Sequence, residues 1–231
     1  MGSAPTDLTQ MGKKLVEKGF VVANEGNISV RDGESVFITS SGCPLDEINP
    51  ENIVRLNINT LKPFDEDFSP SSVLPPSLEW RMHIAVYQAR EDVQAVIHTH
   101  PPYATSYSTR GSNLDQPLLP EVVIHLGPVP LVPYAPPGST KLAKNVANLA
   151  KKCDALLLEN HGVITLGTTL KAAMHKLQLL ENFAMLLLTP SPKGVGPPRP
   201  LPSEEVKTLV ETRRKLGLKG RWLPYPEEME T

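Results

Sequence analysis

The chain has 231 residues, with 23 Lys and Arg against 25 Asp and Glu, for a formal net charge of −2. That length suits one large domain with a sizeable core, and near-neutral, interspersed charge excludes electrostatic capture of nucleic acid or of an acidic membrane. Cys43 and Cys153 cannot make a disulfide framework, the N-terminus lacks a secretory leader pattern and no apolar run approaches a membrane span, so a cytoplasmic protein is expected.

Thr6 or Asp7 can cap a first helix carrying Leu8, Met11, Leu15 and Val16 at helical spacing, with Gly19 as its stop. Phe20 to Val22 starts an extended segment, Asn24 to Asn27 makes a turn, and Ile28, Val30 and Val36 to Ile38 read as a hairpin around Asp32-Gly33. The sequon Asn27-Ile28-Ser29 is therefore taken as a structural or chemical element and not a glycan site. Thr39 to Gly42 is a second turn of small residues, and loops with short strands such as Ile53 to Leu56 run from about Pro44 to Pro76. Ser77 then reads as the N-cap of an amphipathic helix with Leu78, Met82, Ala85, Val86 and Ala89, ending near Arg90.

Val93, Ala95 and Ile97 alternate with Gln94, Val96 and His98 and read as a strand, stopped by Pro101 and Pro102. A short helical segment around Tyr103 to Ser108 precedes a proline-rich, extended region from Pro117 to Pro137, with Val129 to Val132 as an edge strand. Ser139 or Thr140 caps a helix bearing Leu142, Val146, Leu149 and Ala150. Strands Ala155 to Leu158 and Val163 to Leu166 flank a turn at Gly162, and the longest helix runs from near Thr168 to about Leu188. Its breadth of apolar residues places it in the core or against another subunit. A proline-dense linker over 190–202 leads to a last helix from Ser203 to Leu216 and a tail with Trp222 and Tyr225. The mixture of strands and helices predicts a single α/β domain over 1–231, a three-layer α/β/α sandwich with a largely antiparallel central sheet.

Successive side chains on a strand face opposite ways, so His98 and His100 share a face and form a ready pair of ligands for a divalent metal. His161, in Glu159-Asn160-His161-Gly162, stands at a corner that suits a third ligand, although a lone histidine there is as readily packed or solvated. Glu79 reads either as a helix-start glutamate stabilised by the dipole or as a general base close to a metal-held substrate. The turns Asn24 to Asn27 and Thr39 to Gly42, with Ser77, could surround a phosphate or carboxylate, or be turns only.

Gly26-Asn27-Ile28-Ser29-Val30-Arg31, Ile38-Thr39-Ser40-Ser41-Gly42, Ser77-Leu78-Glu79-Trp80-Arg81-Met82-His83, His98-Thr99-His100 and Asn160-His161-Gly162 occur in the order and spacing of the class II aldolase/adducin family. The chain resembles that family from about Leu8 to Leu216, most of all its sugar-phosphate aldolase branch. The resemblance implies a zinc held by His98, His100 and His161, with manganese or cobalt as substitutes, and Glu79 as the acid/base. It implies a substrate-anion pocket of Asn24, Asn27, Ser41, Gly42 and Ser77, and homotetramers with sites at subunit interfaces. The implied activity is retro-aldol cleavage of a hydroxylated ketose or its phosphate through a zinc-stabilised enediolate. Decarboxylation, epimerisation or dehydration of a sugar acid or sugar phosphate on the same fold is the alternative. A non-enzymatic adducin-like scaffold is expected to lack the three histidines present here. Leu78 stands where the aldolase branch has a second phosphate-binding serine, Leu126 after Ile124-His125 where it has a tyrosine, and Leu216 at its C-terminal tyrosine.

Overall fold

A computed structural model of the chain describes residues 4–61 and 74–218. Its first elements are helix α1 (Ala4–Glu17), strands β1 (Asn27–Asp32), β2 (Ser35–Thr39) and β3 (Ile53–Asn57), helix α2 (Trp80–Ala89) and strand β4 (Ala95–Thr99). Helix α3 (Pro102–Ser108), strand β5 (Leu131–Val132), helix α4 (Thr140–Ala150), strands β6 (Ala155–Leu158) and β7 (Gly162–Gly167), and helices α5 (Leu170–Leu188) and α6 (Ser203–Lys215) follow. The strands form one sheet in the order β3-β2-β1-β4-β7-β6-β5, antiparallel at every pairing except β5 with β6. The central strand, β4, is buried along its whole length, which is why its run is nearly all apolar before His98.

Helices cover both faces, giving the expected sandwich. On one face Ile28, Ala95, Ile97, Leu157 and Val163 pack with Leu8 and Leu15 of α1 and Leu177 and Phe183 of α5. On the other, Val96, Leu156, Ile164 and Leu166 pack with Met82 and Val86 of α2 and Leu142 and Val146 of α4. Each such aliphatic burial contributes about 1.5–3 kcal/mol, so strand alternation alone commits β4 to both layers. The same alternation puts His98 on the Val96 side, facing α2. Helix α5 is accordingly a core helix along Leu177 to Ala184.

Several local expectations change. Helix α1 already includes Thr6 and Asp7 in its first turns and does not start on them. Phe20 to Val22 stays outside the sheet, although Phe20 O accepts the His100 N–H at 3.2 Å. Helix α2 starts at Trp80 with Glu79 as its N-cap residue, not Ser77. The reason is long-range: Ser40 bridges Pro76, and the Ser77 N–H donates to Thr39 O at 3.0 Å, which holds 76–77 extended beside β2. Val122–Leu126, read as extended, is a π-helical turn closed by Gly127 N–H on Val122 O at 2.8 Å. Its β-branched residues favour a strand, but burial of Val122, Val123 and Leu126 outweighs that preference, and Arg213 of α6 donates to Ile124 O at 2.6 Å. Residues 190–202 lie outside helix and strand, as expected. Trp222 and Tyr225 lie outside the described residues. No helix among the described residues is long and apolar enough to cross a membrane.

Candidate functional site

The sheet ends where the histidines meet. His98 is fully buried near the end of β4, and its Nδ1–H donates to Val163 O of β7 at 2.8 Å, which turns Nε2 away from the strand pair. His100, just beyond the strand, points Nδ1 at Glu25 Oε2, 3.1 Å away, and brings its Nε2 to 3.2 Å from His98 Nε2. His161 comes from the corner between β6 and β7. There Asn160 takes a left-handed φ of +52°, which asparagine tolerates, and the His161 N–H donates to Leu158 O at 3.0 Å. Gly162 is needed beside it, because a Cβ would run into the His100 ring and the Thr99 carbonyl. Ring centroids are 5.0 Å apart for His98 and His100, 4.8 Å for His98 and His161, and 5.0 Å for His100 and His161.

Glu79 closes the group. Its side chain makes no cap hydrogen bond, although the residue stands at the N-cap position of α2, where the helix dipole favours a carboxylate. Oε2 lies 2.9 Å from His98 Nε2 and accepts from Asn27 Nδ2 at 3.1 Å, while Oε1 lies 3.5 Å from His161 Nε2. Burial acts to raise this carboxyl, but the charge and hydrogen bond of His98, the charge of His161 and the Asn27 amide together outweigh it. They hold it well below the usual carboxylate range. Burial disfavours the charged form of His98, yet Glu79 beside it raises that ring. His161 is lowered to about 4, and His100 is also lowered, in both cases by burial and then by His98. Burial and the charge on His98 thus work against a second imidazolium in the cluster.

These groups fit a divalent cation. One nitrogen from each imidazole lies within 4.8 Å of the other two. Two Nε2 lone pairs facing each other at 3.2 Å are unfavourable without a proton or cation between them. Glu79 Oε1, 3.5 Å from His161 Nε2, is buried and has no hydrogen-bond partner among the described residues. Three imidazoles with an open side suit zinc, and also manganese or cobalt.

The residues expected around an anion are only partly gathered. Ser41 and Ser77 lie on the two strands of the Ser40–Pro76 bridge, where the Ser41 N–H donates to Pro75 O at 2.8 Å and the Ser77 N–H to Thr39 O at 3.0 Å. Ser77 Oγ also receives the Glu79 N–H at 3.4 Å. Asn27 is buried against Glu79, while Asn24 and Gly42 are exposed in their turns, and no described hydrogen bond joins Asn24 to the others. Leu78 is 63% exposed. Its side chain lies where a Cβ on Gly138 would be. Leu126 is buried in the π-helical turn, and His125 of that turn shares a cavity of about 770 Å³ with Arg90, Val93, Gly167 and Lys176, at the opposite end of β4 and β7 from the histidines.

Residues not anticipated stand behind the site. Glu25 touches His100, and His83, Ser29 and Tyr87 continue the contacts of Asn27. The last had a signal in the sequence: Glu79, His83 and Tyr87 recur every four residues, one face of a helix whose other buried positions are Met82, Ile84 and Val86.

The model for the Class II Aldolase and Adducin N-terminal domain matches residues 6–188, from α1 to the end of α5. An L-fuculose phosphate aldolase of Methanococcus maripaludis is 35% identical over 174 residues, covering 74% of this chain and 89% of that protein. A 3-oxo-tetronate 4-phosphate decarboxylase of Haemophilus influenzae is 33% identical over 214 residues, covering 90% of this chain and 96% of that protein. Among solved structures, an L-fuculose 1-phosphate aldolase aligns with a TM-score of 0.79 at 31% identity, over 93% of this chain and 98% of that one. YgbL of Escherichia coli aligns with a TM-score of 0.80 at 28% identity, over 90% and 98%. With its sheet order, its histidine corner and these likenesses in agreement, the chain belongs to the class II aldolase and adducin family.

Proposed function

We propose that the protein is a metal-dependent carbon–carbon lyase that cleaves the bond between the carbon next to a carbonyl and the carbon beyond it, in a phosphorylated sugar or sugar acid. The observation that carries this reading is the juxtaposition of three imidazoles with a buried carboxylate that contacts two of them. In this reading His98, His100 and His161 hold the cation, zinc first among the candidates. Bound there, it would supply positive charge against the negative charge that gathers on the substrate's carbonyl and neighbouring hydroxyl oxygens as the bond breaks.

Glu79 is the proposed proton carrier. Asn27 occupies Oε2, which leaves Oε1 as the oxygen that takes the proton from, or returns it to, the substrate carbon. His98, His161 and the Asn27 amide keep this carboxyl ionised and so able to accept a proton, and a cation held beside the substrate would raise the acidity of the substrate carbon. Ser41 and Ser77, together with Asn24, Asn27 and Gly42, are the proposed anion contacts. Assembly into a homotetramer belongs to the same proposal.

Aldol cleavage is the first form of the reaction, and decarboxylation the second. The second is favoured by Leu126: a buried apolar side chain stands where the aldolase branch has a tyrosine, and loss of carbon dioxide needs no proton taken from a hydroxyl that becomes an aldehyde. The zinc-loaded protein is therefore incubated separately with L-fuculose 1-phosphate and 3-oxo-tetronate 4-phosphate, and aldehyde and carbon dioxide are followed. Release of either product, abolished by chelation and restored by metal, is the expected result. A fully loaded protein that releases neither would remove the lyase reading.

A further inference from the structure

Between β1 and α2 lies an unbroken run of buried hydrogen bonds. Asn27 and Ser29 alternate on one face of β1, and Glu79, His83 and Tyr87 stand four apart on one face of α2 and its cap. Asn27 Nδ2 donates to Glu79 Oε2 at 3.1 Å, and Asn27 Oδ1 lies 2.6 Å from His83 Nε2. The other ring nitrogen, His83 Nδ1, is 2.7 Å from Ser29 Oγ, which is 2.7 Å from the Tyr87 hydroxyl. His83 and Ser29 are 0% exposed, and the most open member, Glu79, only 7%.

We infer that His83 is a positioning residue, which fixes the Asn27 amide and through it aims Glu79 at the histidine cluster. The polarity of the run follows from its end. An ionised carboxylate only accepts, so Asn27 must present its N–H to Glu79 and its oxygen to His83. His83 Nε2 therefore carries the proton, and in a neutral ring Nδ1 is then bare. The Ser29 hydroxyl donates to Nδ1 and accepts from the Tyr87 hydroxyl, so no member can reverse unless all do. Burial agrees with a neutral ring, since it pushes His83 down to about 3. A flipped Asn27 amide would instead put its oxygen against the carboxylate and drive Glu79 away from the site. The hydrogen-bond orientation is a property of the fold, and its catalytic consequence rests on the lyase reading.

Two measurements on the zinc-loaded, full-length protein test this. Histidine-selective nitrogen NMR reads the His83 tautomer without any turnover, so a failed lyase assay leaves its outcome intact. The Nε2–H tautomer, unchanged between pH 6 and pH 8, is expected, and an Nδ1–H ring or an imidazolium would overturn the inference. The second is kinetic. His83→Gln keeps an N–H donor near the Nε2 position and should retain most of the wild-type kcat. His83→Asn withdraws it and should lose about 10- to 100-fold in kcat with KM nearly unchanged, a typical loss for the partner of a functional group. Thermal melts accompany both variants. Equal losses in the two, following their melting temperatures, would reduce His83 to a structural role and overturn the proposal.

Discussion

Glutamine at position 79 is the sharpest perturbation of the proposed chemistry. Glu79→Gln preserves length and leaves the Asn27 contact to Oε2 possible, but it replaces a proton acceptor that no described hydrogen bond occupies. A positioned base contributes about 10²- to 10⁴-fold, so kcat is expected to fall by that factor, about 3–5 kcal/mol of barrier. A smaller effect runs beside it. The carboxylate charge sits 2.9 Å from His98 and 3.5 Å from His161, and its loss should weaken cation affinity by about tenfold, as removal of a ligand's partner does. The assay must separate the two, so kcat is measured at saturating zinc with metal content determined on the same sample. A fully loaded Glu79→Gln enzyme turning over at the wild-type rate would refute the acid/base role. A variant that holds no zinc at all would refute it differently, by making Glu79 a ligand.

Two further outcomes are expected. His161→Ala removes one of three convergent imidazoles and should weaken zinc binding by more than the roughly 100-fold typical of losing an outer partner, read by competition with a chromophoric chelator; unchanged affinity would take His161 out of the metal site. His83 sets a pH dependence of stability: burial holds it at about 3 when folded, against its ordinary 6.5 when unfolded. A folded pKa below the unfolded one gives full stability above about pH 6.5 and progressive loss as pH falls toward 3, at up to about 1.4 kcal/mol per pH unit. Urea unfolding should therefore show the wild type losing about 2 kcal/mol more than His83→Gln between pH 7 and pH 5. Equal losses would mean that the ring is not buried neutral.

The strongest signals in the sequence were those with a fixed local period. Alternation through Val93 to His98 announced a strand, and the prolines behind it announced its end, so the His98–His100 pair was legible before any fold. His161 was different, since only the resemblance to a family gave a lone histidine beside glycine a partner across the sheet. Where local and distant forces compete, local rules misplaced the chain. Ser77 has the chemistry of an N-cap, but the Ser40–Pro76 bridge holds it extended and moves the helix start to Trp80. Val122 to Leu126 has strand residues, yet the space between α5 and α6 winds it into a turn. Glu79 could not be settled locally, because the choice between cap and base depends on Asn27 and His98, which are remote in sequence.

The contact of β1 with α2 bears on why Glu79 stands where it does. Packing alone would place aliphatic residues at Asn27, Ser29, His83 and Tyr87, as it does at Ile28, Met82 and Val86 one position away. An apolar stripe of the same shape needs no partners and can be as stable as a satisfied polar one, whereas each buried polar group left unmet costs about 1–3 kcal/mol. Stability therefore does not call for this run of polar side chains. What it supplies is direction: Ser29, His83 and Asn27 each accept from one neighbour and donate to the next, and the last of them donates to the carboxylate beside the three imidazoles. Local departures from core patterning belong at functional sites. Here the departure begins four residues apart on a helix face, well behind the histidines, and ends on the carboxylate that contacts His98 and His161.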